Sequence, residues 1–293
     1  MRIGLQLPSF TWPGGVKQIG ASLSNIAQTA DEMGFASLWV MDHFFQMDFM
    51  APASDPMLES YATLSFLAGR TRQIKLGALV TAAVYRFPAV MVKTVTTLDV
   101  LSRGRAYFGI GAGWYQREAA GLGIPFPGWS ERYERLQETL EIAKQMWSET
   151  VRPFHGKHYQ LAEPINQPQP LTRPHPPILI GGVGENKTLP LVARYADACN
   201  FPLHIGMESL HAKLCRLKEC CEQEGRPFDE IEKTVLGGID LRPGKMTVAE
   251  VLSIACELSQ LGFEHWILNV EDVTDLSHLE LIGNQIIPAV ASF

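Results

Sequence analysis

The sequence has no apolar run approaching the roughly 18 residues that a membrane-crossing helix needs. It has no long basic run either. Its 25 Lys and Arg are outnumbered by 31 Asp and Glu, giving a net charge of −6. That balance argues against a nucleic-acid or anionic-membrane surface as a partner. Cysteine is scarce and unpatterned. Cys199, Cys215, Cys220, Cys221 and Cys256 are odd in number and include no C-x-x-C spacing. They read as reduced thiols of a cytoplasmic protein, without a disulfide framework or a metal role. The opening MRIGLQLPSF carries one Arg and a short apolar run containing Pro8. It is too short for a secretory h-region and reads as a first strand.

What the chain does have is apolar mass and alternation. Hydrophobic residues make up 46% of it and charged residues 19%, enough for a large core. Short apolar runs at 3–8, 37–42, 74–81, 106–113, 177–182, 197–202, 233–240 and 265–270 alternate with helical patterns. Pro88 marks one helix start and Gly104 its stop, and Ser130 is placed as the N-cap of a long helix beginning "ERYERL". Eight such βα units argue for a parallel sheet with helical crossovers. In 293 residues they fit an α/β fold of the (β/α)8 TIM-barrel type, read as one domain over 1–293. A doubly wound sheet is the alternative. The stretch 150–177 breaks the rhythm with seven prolines. It reads as an insertion with a small hairpin around "FHGKHYQL". His155 and His158 within it lack a Cys or acid at ligand spacing, so no metal site is expected there.

The segment "YFGIGAGWYQRE" (107–118) imitates the glycine turn of a dinucleotide-binding sheet. That turn belongs in the first βα unit of its domain, with an acid about 20 residues on at a strand end. Here three units precede it and the nearest acids downstream fall on a helix, so a nicotinamide site is disfavoured. A barrel keeps its active site at the C-terminal ends of its strands. This selects Asp42 and His43, then Leu79, Val80 and Thr81, then Ala112, Gly113 and Trp114, then Gly181, Gly182, Val183 and Gly184. His43 can move a proton near neutral pH. Asp42 precedes it and points to the opposite face of an extended strand, so it reads as a scaffold or hydrogen-bonding residue. The glycines of 109–113 allow close approach of a ligand to the backbone, with packing as the competing reason, strongest at Gly109. "IGGVGENK" leads into a helix and offers free amides to an anion. Trp12, Phe44, Phe45 and Trp114 are candidates for an aromatic cleft. Arg86, Arg117 and Lys187 are candidates for an anionic tail.

Three segments together, "SLWVMDHFF", "LGALVTAAVYRFPAVMVKTVTTLDVLSRGRAYFGIGAGW" and "PILIGGVGENKTLPLVARYADACN", resemble the bacterial luciferase-like flavin and deazaflavin oxidoreductases. The branch that uses the 5-deazaflavin coenzyme F420 is the nearer likeness. The resemblance spans nearly the whole chain and implies a TIM barrel with an insertion region, a soluble homodimer and a small-molecule substrate. It implies a cofactor pocket at Asp42 and His43, with His43 at the hydride-exchanging part of the ring. It also implies a non-prolyl cis peptide at Leu79–Val80 backing that ring, a loop Ala112–Trp114 against it, and the phosphate end at Gly181–Gly184. The sugar-phosphate dehydrogenase branch has an acid where this chain has Trp114. Later strand ends also lack an obvious Lys and Arg cluster. The expected activity is therefore hydride transfer between F420 and a small uncharged organic molecule. An FMN-dependent monooxygenase and a non-catalytic flavin-binding protein are the alternatives.

Overall fold

In the computed structural model, which describes residues 1–293, the alternating pattern closes into a ring. Its strands are β1 (Arg2–Leu7), β2 (Ser37–Val40), β3 (Lys75–Ala78, resuming at Thr81–Ala82), β4 (Phe108–Gly111), β5 (Ile178–Gly181), β6 (Ala198–Pro202), β7 (Glu232–Ile239) and β8 (His265–Val270). Every neighbouring pair is parallel, and β1 pairs with both β2 and β8. Leu76 of β3 bridges Ala106 just below β4, which closes the circle. The fold is a (β/α)8 barrel. β2 and β4 are buried at every residue, as parallel strands covered on both faces must be.

The core has two parts. The larger lies between the strands and the outer helices, with Leu5, Leu38, Leu76, Phe108 and Ile180 among its members. The smaller includes Trp39, Leu79, Tyr107, Leu179, Ala198 and Ile267. It adjoins a buried polar chain. His265 bonds Ser37 Oγ at 2.9 Å through Nε2 and Glu232 at 2.8 Å through Nδ1. The Tyr107 hydroxyl donates to the same carboxylate at 2.8 Å, and Arg2 pairs with it at 2.9 Å. Burial pushes the Glu232 carboxyl up, but the bond from His265 and the charges of His265 and Arg2 outweigh it. The net shift is downward.

The glycines of β4 serve packing before they serve any ligand. A Cβ on Gly109 would stand 1.9 Å from the Ala78 carbonyl oxygen. Cβ atoms on Gly111 and Gly181 would lie 3.0 Å from methyl carbons of Val80. At Gly111 the nearest group to such a Cβ is a methyl of the protein's own Val80.

Other boundaries also move. The strand expected over 74–81 breaks at Leu79–Val80, and that over 106–113 spans only Phe108–Gly111. The helix expected to start after Ser130 runs Trp129–Trp147 with Gly128 at its N-cap, because Pro127–Gly128 already breaks the chain and leaves Ser130 inside the first turn. The insertion does contain a hairpin, Phe154–His155 against Gln160–Leu161. Its turn is pinned by Glu138, whose carboxylate accepts from the amides of Lys157, His158 and Tyr159 at 2.7–3.1 Å. His158 bonds Glu134 at 2.6 Å, and His155 bonds Gln160 at 3.0 Å.

Candidate active site

A cavity of about 280 Å³ opens at the C-terminal ends of the strands. Larger clefts exist, one beside Met1, Arg2 and Phe293 and one beside the insertion hairpin. The first lies by the N-terminal ends of the strands and the second outside the barrel, where the fold places no active site. The upper cavity brings together Asp42, His43, Leu79, Val80, Thr81, Gly113, Trp114, Gly181 and Gly182. Ala112 packs into the core, Val183 packs against it from outside, and Gly184 is exposed. These three do not line the cavity. Tyr85, Asn200, Pro202 and Leu236 do, although the strand-end reading passed over them. No Lys or Arg is in the lining.

The rim at β3 is a built corner. The Leu79–Val80 peptide is cis, at the bond the resemblance implies. Leu79 N–H donates to the Val40 carbonyl at 2.8 Å. Gln6 Nε2 donates to the Leu79 carbonyl at 3.2 Å, and Asn269 Nδ2 holds Gln6 Oε1 at 2.8 Å. The Thr81 hydroxyl is bonded to Tyr61 at 2.8 Å. Residues from β1, β2 and β8 therefore fix one short length of backbone.

Asp42 belongs to this scaffold. It is 3% exposed. Its carboxylate receives both Arg86 terminal nitrogens at 2.6 and 2.8 Å, the Ser60 hydroxyl at 2.6 Å and the Ala82 amide at 3.3 Å. Arg86 also reaches Glu59 at 2.5 Å. Burial works against the guanidinium charge, but the bonds to Asp42 more than offset it and strengthen its hold on the proton. Arg86 is thus committed to Asp42 and Glu59 rather than to an anionic tail. Arg117 pairs with Asp48.

His43 is oriented by a residue that strand-end reasoning missed. Its Nδ1 lies 2.6 Å from Glu118 Oε1. Glu118 has no solvent exposure and lies on a short helix, Gln116–Gly121, that the sequence reading did not anticipate. Its other oxygen accepts from the Phe44 and Phe45 amides at 2.7 and 3.1 Å. The Tyr85 hydroxyl donates to Oε1 at 2.5 Å. Burial alone would raise the Glu118 carboxyl, yet the bonds from His43, Tyr85 and Phe45 carry it below its ordinary value. Burial, and then the bond to Glu118, drive the Tyr85 phenol well above its ordinary range. The one signal in the sequence was an acid followed by small apolar residues, "REAAG", after the glycine loop.

Aromatic rings border this centre. Trp114 stacks on Tyr115 at 5.0 Å and meets the His43 ring edge-on at 5.5 Å, with Phe49 at 6.1 Å beyond. Trp114 is 51% exposed and Phe49 75%. Phe44 packs on Tyr85, and Phe45 lies against Gly121. Trp12 packs on Phe10 in the outer core. On the opposite rim, the amides of residues 183–187 have no acceptor within the chain, whereas that of Gly182 is bonded to Asn200. They precede the helix Thr188–Tyr195, whose positive end favours an anion.

Comparison with known proteins places this geometry. A profile of the luciferase-like monooxygenase family matches residues 1–266. An F420-dependent glucose-6-phosphate dehydrogenase of Kineococcus radiotolerans is 32% identical over 222 residues, covering 73% of this chain and 62% of that protein. The oxygenase component of a flavin-dependent trigonelline monooxygenase of Acinetobacter baylyi is 26% identical over 217 residues, 74% of this chain and 57% of that one. The chain thus spans about three fifths of the length of the curated relatives it matches. An F420-dependent secondary alcohol dehydrogenase, solved with an F420-acetone adduct, superposes with a TM-score of 0.82 at 18% identity over 99% of this chain and 98% of that one. That likeness is one of fold.

Proposed function

The chain belongs to the luciferase-like monooxygenase family, and on that footing we propose that it is a coenzyme F420-dependent oxidoreductase acting on a small uncharged organic substrate. We read residues 1–293 as one barrel domain of a cytoplasmic homodimer. The observation that carries the proposal is the cavity itself: a backbone floor at Leu79–Thr81, a histidine held through one nitrogen with the other unpartnered, and no cationic side chain in the lining. The fit to a flat ring with an anionic tail is specific. The ring needs a flat, largely apolar wall, which Leu79, Val80 and Gly181 supply. The tail phosphate needs unpaired donors, which the 183–187 amides supply.

When bound, the deazaflavin supplies or accepts the hydride. The chain does the rest. The Leu79–Thr81 corner with Gly181 and Gly182 would hold the ring. Trp114 and Tyr85 limit the water around the reacting carbon. His43 gives a proton to the substrate atom next to the hydride-accepting carbon, or takes it back in the reverse direction. Absence of Lys and Arg from the lining speaks against a sugar phosphate as substrate. Support for F420 comes from the dehydrogenase relative at 32% identity. The trigonelline monooxygenase relative favours the second reading, in which reduced FMN and oxygen replace F420. The exposed Phe87, Val90 and Leu101 on and beside the helix Pro88–Leu101 support a subunit contact there.

Titration of the purified protein with F420 and with FMN, followed by fluorescence, decides between the readings. Tight F420 binding is expected; FMN binding without F420 binding refutes it. His43→Ala is expected to bind F420 as before and to turn over poorly in a screen of uncharged alcohols and enones. Unchanged turnover removes His43 from the mechanism.

A further inference from the structure

We propose that Glu118 is the positioning residue that dictates which nitrogen of His43 does the chemistry. The inference rests on the reading of His43 as the proton-handling group. Its own evidence is the hydrogen-bond ledger of one carboxylate. Glu118 Oε2 is occupied by the Phe44 and Phe45 amides, which can only donate. Oε1 is shared by the Tyr85 hydroxyl at 2.5 Å and His43 Nδ1 at 2.6 Å. An ionised carboxylate can only accept. His43 Nδ1 must therefore carry a hydrogen, whether the ring is neutral or charged. In the neutral ring that leaves the lone pair on Nε2, the nitrogen without a protein partner. Nε2 is then a base when the ring is neutral and an acid when it is protonated.

Tyr85 completes the constraint. Its single hydroxyl proton goes to Glu118 Oε1 at 2.5 Å, the shorter of its two contacts, with the Tyr115 carbonyl at 3.3 Å. The Phe44 and Phe45 amides make the carboxylate part of the backbone of the very loop that bears the histidine. Glu118 thus sets ring position and tautomer together. Glu118 meets two lining residues, His43 and Tyr85, but is not itself in the lining, which is why it positions rather than reacts.

Substitution by glutamine isolates the electronic part. The side-chain oxygen of Glu118→Gln can still accept from the two amides, so its NH2 group must face Nδ1 and Tyr85. Nδ1 is then forced to accept, and the neutral-ring proton moves to Nε2. Nitrogen-15 histidine spectra of the ligand-free protein read this directly, with the His43 signals identified by their loss in His43→Ala. The wild type is expected to show a neutral ring protonated on Nδ1, and Glu118→Gln a ring protonated on Nε2. Acylation of His43 by diethyl pyrocarbonate, mapped by peptide mass, needs the Nε2 lone pair and is expected to slow at least tenfold in Glu118→Gln. Tyr85→Phe, which leaves the Nδ1 bond in place, is expected to keep the wild-type tautomer. A neutral wild-type ring protonated on Nε2 overturns the proposal even if Glu118→Gln does not fold. So does a folded Glu118→Gln with the wild-type tautomer, or one with an unchanged acylation rate. Neither measurement uses cofactor. Failure to bind F420 would therefore sink the functional reading while leaving this one decided on its own terms.

Discussion

Asp42→Asn separates scaffold from ligand-binding role at the second strand. The wild-type carboxylate accepts four hydrogen bonds, two of them from one guanidinium at 2.6 and 2.8 Å. A carboxamide keeps one oxygen and turns an NH2 group toward donors. At least one Arg86 or Ser60 donor then loses its acceptor, and the guanidinium loses its fully buried counter-charge. Breaking a buried ion pair from one side costs about 3–5 kcal/mol. Arg86 is 17% exposed and keeps Glu59, which puts the expected loss near the lower end, about 3 kcal/mol. For a chain of this size that is about 1 M in the urea midpoint, since the denaturant slope grows with the surface exposed. Equilibrium unfolding followed by circular dichroism measures it, and a parallel F420 titration at low denaturant reads the site. The reasoning requires a large stability loss with cofactor affinity little changed. A midpoint that barely moves, together with lost cofactor binding, would refute it and assign Asp42 to the cofactor.

Gly109→Ala puts a Cβ 1.9 Å from a backbone oxygen that cannot swing away. It is expected to cost about 3 kcal/mol or more, read as a large fall in melting temperature. Gly20→Ala, inside the helix Ile19–Glu32 with no atom within 4 Å, is the control and should not destabilise, because Ala is the better helix former. Glu118 and Glu232 both sit below their ordinary carboxyl value of 4.5 in the fold. Each therefore contributes stability that is present above 4.5 and is lost as pH falls through its lower folded value. Unfolding free energy measured from pH 7 down to 3 should drop over that window, and the drop should be smaller in Glu118→Gln. An equal drop in the variant removes Glu118 from the acid transition.

The barrel was legible because its information is local and repeated. Each βα unit states its own period: a short apolar run for a buried parallel strand, then an amphipathic helix closed by glycine. Eight units in sequence leave few alternatives. What was not legible lies where the chain departs from the repeat. The third strand reads as one run from Ile74 to Thr81, and nothing in its composition marks a break at Leu79–Val80; only the family resemblance pointed there. The glycines at 109, 111 and 181 look like a ligand's requirement when read along one strand. Their true neighbours, Ala78 and Val80, are about 30 to 100 residues away in the chain, so a reading by strand could not see that a side chain of the protein already fills the space.

The site divides along the same line. Residues that a strand end carries directly into the cavity, such as His43, Thr81, Trp114 and Gly181, follow from topology alone. Residues that act by completing another residue's hydrogen bonds do not. Arg86 resembles a free cation in the sequence and is the buried partner of Asp42. Glu118 resembles one more acid after a glycine loop, yet it receives four donors from residues that lie 33 to 75 positions earlier. An ionisable side chain with no exposure cannot be kept unless such partners exist. Burial is what separates it from the solvent-facing acids of the chain. The glycine loop of 109–113 therefore matters less as a cradle than as the turn that delivers Trp114 to the rim and, five residues past Gly113, Glu118 beneath His43. Trp114 stands at the rim beside His43, and the carboxylate this chain buries nearby, Glu118, faces the histidine. The proposed handling of a proton by His43 for an uncharged ligand agrees with the absence of Lys and Arg from the lining.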